Sequence, residues 1–263
     1  YRMAPFSVFS TVSVKRSALS LVVPDSNLQS SPPNSICVVR LSAIGDTCHA
    51  LCVIRRLQDN WPEAKLTWII GKTEAALMAD IPGVEFIIFD KSAGRDANRA
   101  IRERLSGKSF DVALCMHASM RVNRLYRSID APVRLGFDFR RARDFQWLFT
   151  NERIPAAHGE HSLEAMMGFA TAIGAKSRPM RWDIPFGEDD REFAADYRSP
   201  GMPWVVISPG RSQRARNFRN WSVENYRGVI EHLRARGSRV VISGGPSDLE
   251  REYGEALSRD GAA

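Results

Sequence analysis

Ile36-Cys37-Val38-Val39-Arg40-Leu41-Ser42-Ala43-Ile44-Gly45-Asp46-Thr47 sets the fold class. An apolar run of strand length gives way to a turn of small residues, Ser42 to Asp46. From Thr47 to Asn60 apolar side chains then recur at helical spacing (Leu51, Ile54, Leu57) until Pro62 stops them. Strand, tight turn and helix open a βαβ unit, and the alternation repeats. Strands are predicted over Leu66 to Ile70, Val84 to Phe89, Phe110 to Met116 and Val133 to Phe137. Helices are predicted over Glu74 to Asp80, Asn98 to Leu105, Met120 to Ile129, Arg141 to Phe149 and His161 to Ile173. Such alternation implies a parallel sheet, and right-handed crossovers make it doubly wound.

A second series begins further on. Residues 175–202 hold Pro179, Pro185 and Pro200 and read as an irregular interdomain connection. Trp204 to Ile207 and Arg239 to Ile242 read as strands, with helices over 222–236 and 247–258. Two strands are too few for an open parallel sheet to stand alone, so this domain reads as unfinished. The expected organisation is a disordered Ser- and Pro-rich leader over 1–34, an α/β domain over 35–174, the connection, and a partial α/β domain over 203–263. Tyr1 at one end and Gly261-Ala262-Ala263 at the other make both ends read as cut.

Composition sets outer bounds. Hydrophobic residues make up 44% and charged residues 25% of the 263, as in an ordinary globular chain. No apolar run approaches the roughly 20 residues that cross a bilayer. Ser17 to Val23, behind Lys15-Arg16, lacks a small-residue cleavage site, so a cytoplasmic protein is expected. Net charge is +7, which favours polyanionic partners such as nucleic acid, an anionic membrane face or a phosphorylated substrate. Cys48 and Cys52 share a helix face, where a metal or redox pair competes with the reading of small buried hydrophobes. The five histidines form no ligand spacing, and no metal is expected.

Ligands of open α/β sheets bind beyond the carboxyl ends of the strands, which singles out three turns. At the first, Gly45 allows close backbone approach and Asp46 is either a helix N-cap or a carboxylate facing a cleft. The second, Ser208-Pro-Gly-Arg-Ser-Gln-Arg-Ala-Arg-Asn-Phe-Arg-Asn-Trp221, carries Arg211, Ser212, Arg214, Arg216 and Arg219. Guanidinium forks match diphosphate oxygens, and a mobile basic loop or a nucleic-acid contact would use the same residues. At the third, Ser243-Gly-Gly-Pro-Ser-Asp248, Gly244 and Gly245 admit a nucleotide backbone. Asp248 there is either a ribose ligand or a first-turn acid. Neither a Walker lysine nor a GxGxxG run is present. The basic, aromatic run Phe139-Arg-Arg-Ala-Arg143 reads as a solvated helix entry or part of a surface for anionic lipid or acceptor.

With those turns in place the sequence resembles glycosyltransferase family 9, the ADP-heptose:lipopolysaccharide heptosyltransferases, from about Ile36 to Leu257. The resemblance rests on Arg40-Leu-Ser-Ala-Ile-Gly-Asp-Thr-Cys48, Ala131-Pro-Val-Arg-Leu-Gly-Phe137, Ser208-Pro-Gly210, the basic residue before Asn220-Trp221, and Val240-Val-Ile-Ser-Gly-Gly-Pro246. It implies a GT-B architecture of two Rossmann-like domains, the second incomplete here, with acceptor on the first and nucleotide sugar on the second. It implies Asp46 as general base, Arg219 on the donor diphosphate, Asp248 near the donor ribose and Arg121 among acceptor-binding residues. Gly45, Ser208, Ser212, Gly244 and Gly245 complete the expected donor site.

The implied reaction is heptose transfer from ADP-heptose, with inversion and without a metal, to a phosphorylated lipid-linked core oligosaccharide. The implied location is the cytoplasm, peripheral to the inner membrane. The family's later Gly-Asn-Asp-Thr-Gly-Pro-x-His stretch has no match, so these 263 residues alone are expected to bind donor poorly and turn over little. Two other readings are another GT-B enzyme or nucleotide-sugar epimerase, and a non-enzymatic nucleic-acid-binding protein. The arginines gather at a strand-end turn and form no aromatic-interleaved stripe, which disfavours nucleic acid.

Overall fold

A computed structural model describes residues 31–78, 80–197, 201–210, 220–245 and 247–258. Most of the expected leader, residues 1–30, lies outside the described residues. The chain divides into two compact units, one ending at Pro185 and one beginning at Phe186.

The first unit is built on six parallel strands: β1 (Ser35–Val39), β2 (Lys65–Gly71), β3 (Val84–Phe89), β4 (Val112–Cys115), β5 (Val133–Gly136) and β6 (Glu152–Arg153). Their spatial order is β3-β2-β1-β4-β5-β6, the order of a dinucleotide-type Rossmann sheet. The order reverses between β1 and β4, so the loops leaving those two strands diverge to opposite faces. That divergence opens a crevice at their carboxyl ends.

The strands are apolar on both faces because helices cover both. Ile36, Val38, Trp68, Ile70 and Leu114 point into one core, against α1 (Ile44–Asn60), α2 (Lys72–Met78) and α5 (Ser162–Ala172). Cys37, Val39, Ile69, Ala113 and Cys115 alternate onto the other face. There they meet α3 (Arg95–Leu105) and the segment 122–129 that follows the start of α4 (Met120–Asn123). Burial of about 25 cal/mol per Å2 on both faces of every central strand is the main stabilising term. The four cysteines are free; Cys37, Cys52 and Cys115 are buried, and burial raises their thiols above the usual range, Cys52 to about 11.

Polar anchors fix α5 against α1. The buried Arg56 guanidinium donates to Lys176 O (3.0 Å), Thr171 Oγ1 (3.0 Å) and Ala175 O at the carboxyl end of α5. His161 caps α5 itself, its Nδ1 accepting from Leu163 N (3.2 Å) while Glu164 returns to His161 N (3.1 Å).

The second unit contains α6 (Glu188–Asp196), the parallel pair β7 (Trp204–Ile207) and β8 (Arg239–Ile242), α7 (Val223–Ala235) and α8 (Asp248–Ser258). Its described core is small, with Ile230, Val240 and Leu257 buried and Tyr226 and Tyr253 packed against them.

Several elements differ from the sequence reading. The segment Arg141 to Phe149 is no α-helix: Asp144 and Phe145 take φ of 52° and 59°, which ends any right-handed helix, and only a 3-10 turn forms at Gln146–Leu148. The helix expected over Met120 to Ile129 tightens to 3-10 geometry after Asn123. The connection after Ala175 contains α6, whose N-cap Gly187 donates its N–H to the Asp190 carboxylate (3.0 Å) and whose first turn is acidic. Finally, α1 starts at Ile44, so Gly45 and Asp46 lie within its first turn.

Candidate active site at the β1–β4 crevice

Both strands that flank the crevice end in a polar residue. Arg40 follows β1 and His117 lies just past β4, and parallel pairing of Val39 with Cys115 brings them to the same rim. Arg40 donates from Nη1 to Met116 O at 2.7 Å and from Nη2 to Asp46 Oδ2. The guanidinium is 12% exposed and the carboxylate 37%. Burial lowers the Arg40 pKa, and the neighbouring Asp46 offsets only part of that fall.

Ala43 is the N-cap of α1, so Asp46 does not occupy that position. As the third helical residue it accepts a long bond from Ala43 N (3.4 Å), which places its charge at the positive end of α1. Helix start and arginine both engage Oδ2. Among the described residues Oδ1 has no hydrogen-bond partner, so the carboxylate keeps a free basic oxygen at the rim. Gly45 is exposed and nothing lies within 4 Å of where a Cβ would stand, which leaves the backbone beside Asp46 open.

His117 supports this turn from the β4 side. Its Nδ1 accepts from Leu41 N (3.4 Å), which assigns the proton to Nε2. Burial, then the charges of Arg40 and Lys91, lower its pKa to about 4 against the opposing pull of Asp46, so the ring is neutral. Buried Tyr126 donates to His117 O and accepts from His117 N (3.3 Å). Arg40, His117 and Tyr126 were not assigned roles from the sequence. The signal available was a cationic residue inside the otherwise apolar run Ile36 to Leu41, and a histidine directly after a buried strand.

The other expected residues distribute as follows. Arg121 is exposed on α4, beyond the carboxyl end of β4 and therefore on the same edge of the sheet as Asp46. In the second unit Ser208 follows β7, and Gly244 and Gly245 follow β8. Asp248 opens α8, is 95% exposed and pairs with Arg251 one turn on (3.5 Å), as a first-turn acid does. The Gly244-Gly245 turn holds the carboxylate of Glu250: a Cβ on Gly245 would meet Oε2 at 2.9 Å, and Ser247 Oγ donates to that oxygen at 2.5 Å. Bonds from Ser247 and the Gly245 backbone lower the Glu250 pKa, so this turn has the donors an anion needs. Ser212 and Arg219, with Arg211, Arg214 and Arg216, lie outside the described residues. Among the described residues no group of three or more His, Cys, Asp or Glu side chains could hold a metal ion. None of the described helices is long and apolar enough to cross a membrane.

Residues 98–261 match the family model described as glycosyltransferase family 9 (heptosyltransferase). The chain belongs to glycosyltransferase family 9. Among relatives in that family, the lipopolysaccharide core heptosyltransferase OpsX of Haemophilus influenzae is 34% identical over 226 residues, 86% of this chain and 64% of OpsX. Lipopolysaccharide heptosyltransferase 3 of Escherichia coli is 22% identical over 211 residues, 77% of this chain. The chain spans between 61% and 70% of the length of the curated relatives it matches. Of solved structures, E. coli heptosyltransferase WaaC with ADP superposes with a TM-score of 0.69 at 22% identity, over 87% of this chain and 73% of WaaC. A family 9 glycosyltransferase from Veillonella parvula gives 0.70 at 18% identity, over 89% of this chain and 67% of that one. The fold class is accordingly the GT-B type of the family 9 enzymes, with a Rossmann-like sheet in the first unit.

Proposed function

We propose that this protein transfers heptose from ADP-heptose to the inner core of lipopolysaccharide with inversion, and that Asp46 is its general base. The observation that carries the reading is the Asp46 carboxylate at the β1–β4 crevice, one oxygen fastened by Arg40 and the other free. Family membership supplies the reaction class. The ADP donor is supported by the WaaC structures, described as holding ADP and ADP-2-deoxy-2-fluoro heptose.

In this reading Asp46 Oδ1 takes the proton of an acceptor hydroxyl as its oxygen attacks the anomeric carbon. The bond from that carbon to the diphosphate oxygen breaks on the opposite side, and ADP departs with the electron pair. Guanidinium groups of the 211–219 loop, Arg219 first among them, meet the charge growing on the diphosphate, with Ser212 adding a hydroxyl. Ser208, Gly244 and Gly245 give close backbone contact, Gly45 leaves room beside the base, and Asp248 accepts from the ribose. No metal is required where arginines supply that charge. Arg121 binds the acceptor, a phosphorylated lipid-linked oligosaccharide presented at the cytoplasmic face of the inner membrane. A basic surface suits such an acceptor.

The test is ADP release and product anomeric configuration with ADP-heptose and an inner-core acceptor, for wild type and Asp46→Asn. Loss of turnover by about 10^2 to 10^4 with unchanged fold supports the base assignment. Wild-type rates in Asp46→Asn would sink it, and preference for a UDP-sugar would sink the donor.

A further inference from the structure

The connection from β5 to β6 leaves the sheet at its carboxyl edge and turns large apolar side chains into solvent. Phe139 is 64% exposed, Phe145 54% and Leu148 65%. Trp147 lies between the two phenylalanines, its ring centroid 6.2 Å from Phe139 and 5.3 Å from Phe145. These residues are on a supported ridge. Buried Asn123 donates to Asp144 O (2.7 Å) and Arg143 O (3.3 Å), and Met120 N donates to Asp144 Oδ2 (2.9 Å). The bonds hold Asp144 and Phe145 left-handed, a conformation that a bulky residue seldom adopts. Core formation does not explain a strained backbone that points a phenylalanine outward.

The ridge is also cationic. Segments 120–128 and 137–149, joined by those bonds, hold six arginines and two aspartates, a net +4. Both aspartates are engaged, Asp138 by Arg141 and Asp144 by the Met120 amide. Arg124, Arg140 and Arg143 are exposed, and none forms an ion pair among the described residues. Arg153 stacks over Phe139 at 4.2 Å, so a guanidinium also flanks the apolar tip. Aromatic and leucine tips flanked by exposed arginines that form no ion pair among the described residues match the boundary between anionic headgroups and acyl chains.

We propose that this ridge docks the protein on an anionic lipid bilayer, with Phe139, Phe145 and Leu148 entering the headgroup boundary and the exposed Arg124, Arg140 and Arg143 contacting lipid phosphates. The inference rests on the proposed function only for its choice of membrane. It needs no glycosyl chemistry, and it places the lipid surface on the same sheet edge as Asp46.

The test is co-sedimentation of the 263-residue chain with vesicles of phosphatidylglycerol and phosphatidylcholine, against pure phosphatidylcholine, with no glycolipid in either. Wild type is compared with Phe145→Gly, which suits the left-handed backbone and keeps the fold, and with the triple variant Phe139→Ser/Phe145→Ser/Leu148→Ser. Circular dichroism and thermal midpoints confirm folding. Expected are about tenfold stronger binding of wild type to the anionic vesicles, weakening with salt, about threefold loss in Phe145→Gly and about tenfold loss in the triple variant. Asp46→Asn should bind vesicles as wild type does, so failure here and failure of the transfer reaction are separate results. Absence of wild-type binding, or equal binding by both variants, overturns the proposal. So does self-association of wild type that the triple variant abolishes without any vesicle binding, which would assign the ridge to a second copy.

Discussion

Arg40 and Asp46 are bonded across the turn that joins β1 to α1, and the same guanidinium reaches Met116 O at 2.7 Å. One side chain therefore ties the carboxylate to the end of the neighbouring strand. Asp46 is positioned by the sheet as well as by its helix.

Arg40→Lys removes the fork that spans both acceptors, since an ammonium is a single point of contact. The expected outcome is a fall in kcat of about tenfold with little change in KM, and a loss of about 1–3 kcal/mol in urea unfolding. Arg40→Ala should cost more in both. A variant with wild-type kcat would remove Arg40 from the positioning of the base.

Asp46→Asn should separate chemistry from stability. The side chain keeps an oxygen toward Ala43 N and Arg40 but leaves the 12%-exposed guanidinium without its counter-charge, so stability should fall by about 1–3 kcal/mol, far less than the effect on rate. Turnover should nevertheless fall by two orders of magnitude or more. Thermal melting beside steady-state kinetics reads both.

His117 makes stability depend on pH. Its folded pKa of about 4 lies below the ordinary histidine value, so the unfolded chain binds the proton more readily. The stabilisation is complete above the unfolded value and is lost as pH falls from about 6.5 toward 4. It amounts to about 3 kcal/mol at most. Urea unfolding between pH 4 and 7 should show that slope, and His117→Gln should flatten it.

Gly71 is fixed by close approach. A Cβ there would stand 2.3 Å from Leu41 O, the carbonyl that accepts from Gly71 N at the start of the β1–α1 turn. Gly71→Ala should lower stability by roughly 2 kcal/mol or more and disturb the β1–α1 turn. A melting temperature equal to wild type would contradict this packing.

Asn123→Ala leaves two carbonyls of a left-handed segment without their donor. The expected loss is about 2–3 kcal/mol, with Phe145→Gly in the same background recovering about 1 kcal/mol of it. Chemical denaturation of the single and double variants checks the pair.

The strands were legible because each is a short apolar run with its own punctuation. Val84–Phe89 has the bounds its sequence predicts, and β7 and β8 follow Trp204–Ile207 and Arg239–Ile242. The helices whose apolar spacing is sustained, α1, α5 and α7, were legible for the same reason. Arg141 to Phe149 misled because its pattern resembles a helix while the tertiary bonds of Asn123, thirty positions away at most, select a left-handed turn. The start of α1 misled by three residues because Ala43, with no capping oxygen, fills the N-cap and Asp46 compensates from inside. Asp46 itself could be singled out from its turn. Arg40 and His117 each left a signal, a cation in an apolar run and a histidine after a buried strand, but their joint placement comes from strand pairing that brings positions 40 and 117 together.

All chemistry proposed for the first unit lies at the carboxyl ends of its strands, and the turn from α3 to β4 lies at the opposite end. At Gly107, between α3 and β4, φ is +73° and open space surrounds the position of a Cβ. A short peptide tag or a fluorophore-bearing insertion placed there would sit on the far side of the sheet from Asp46. The fold thus provides an attachment handle through which surface capture or fluorescence tracking can proceed while the rim that carries Asp46 stays clear.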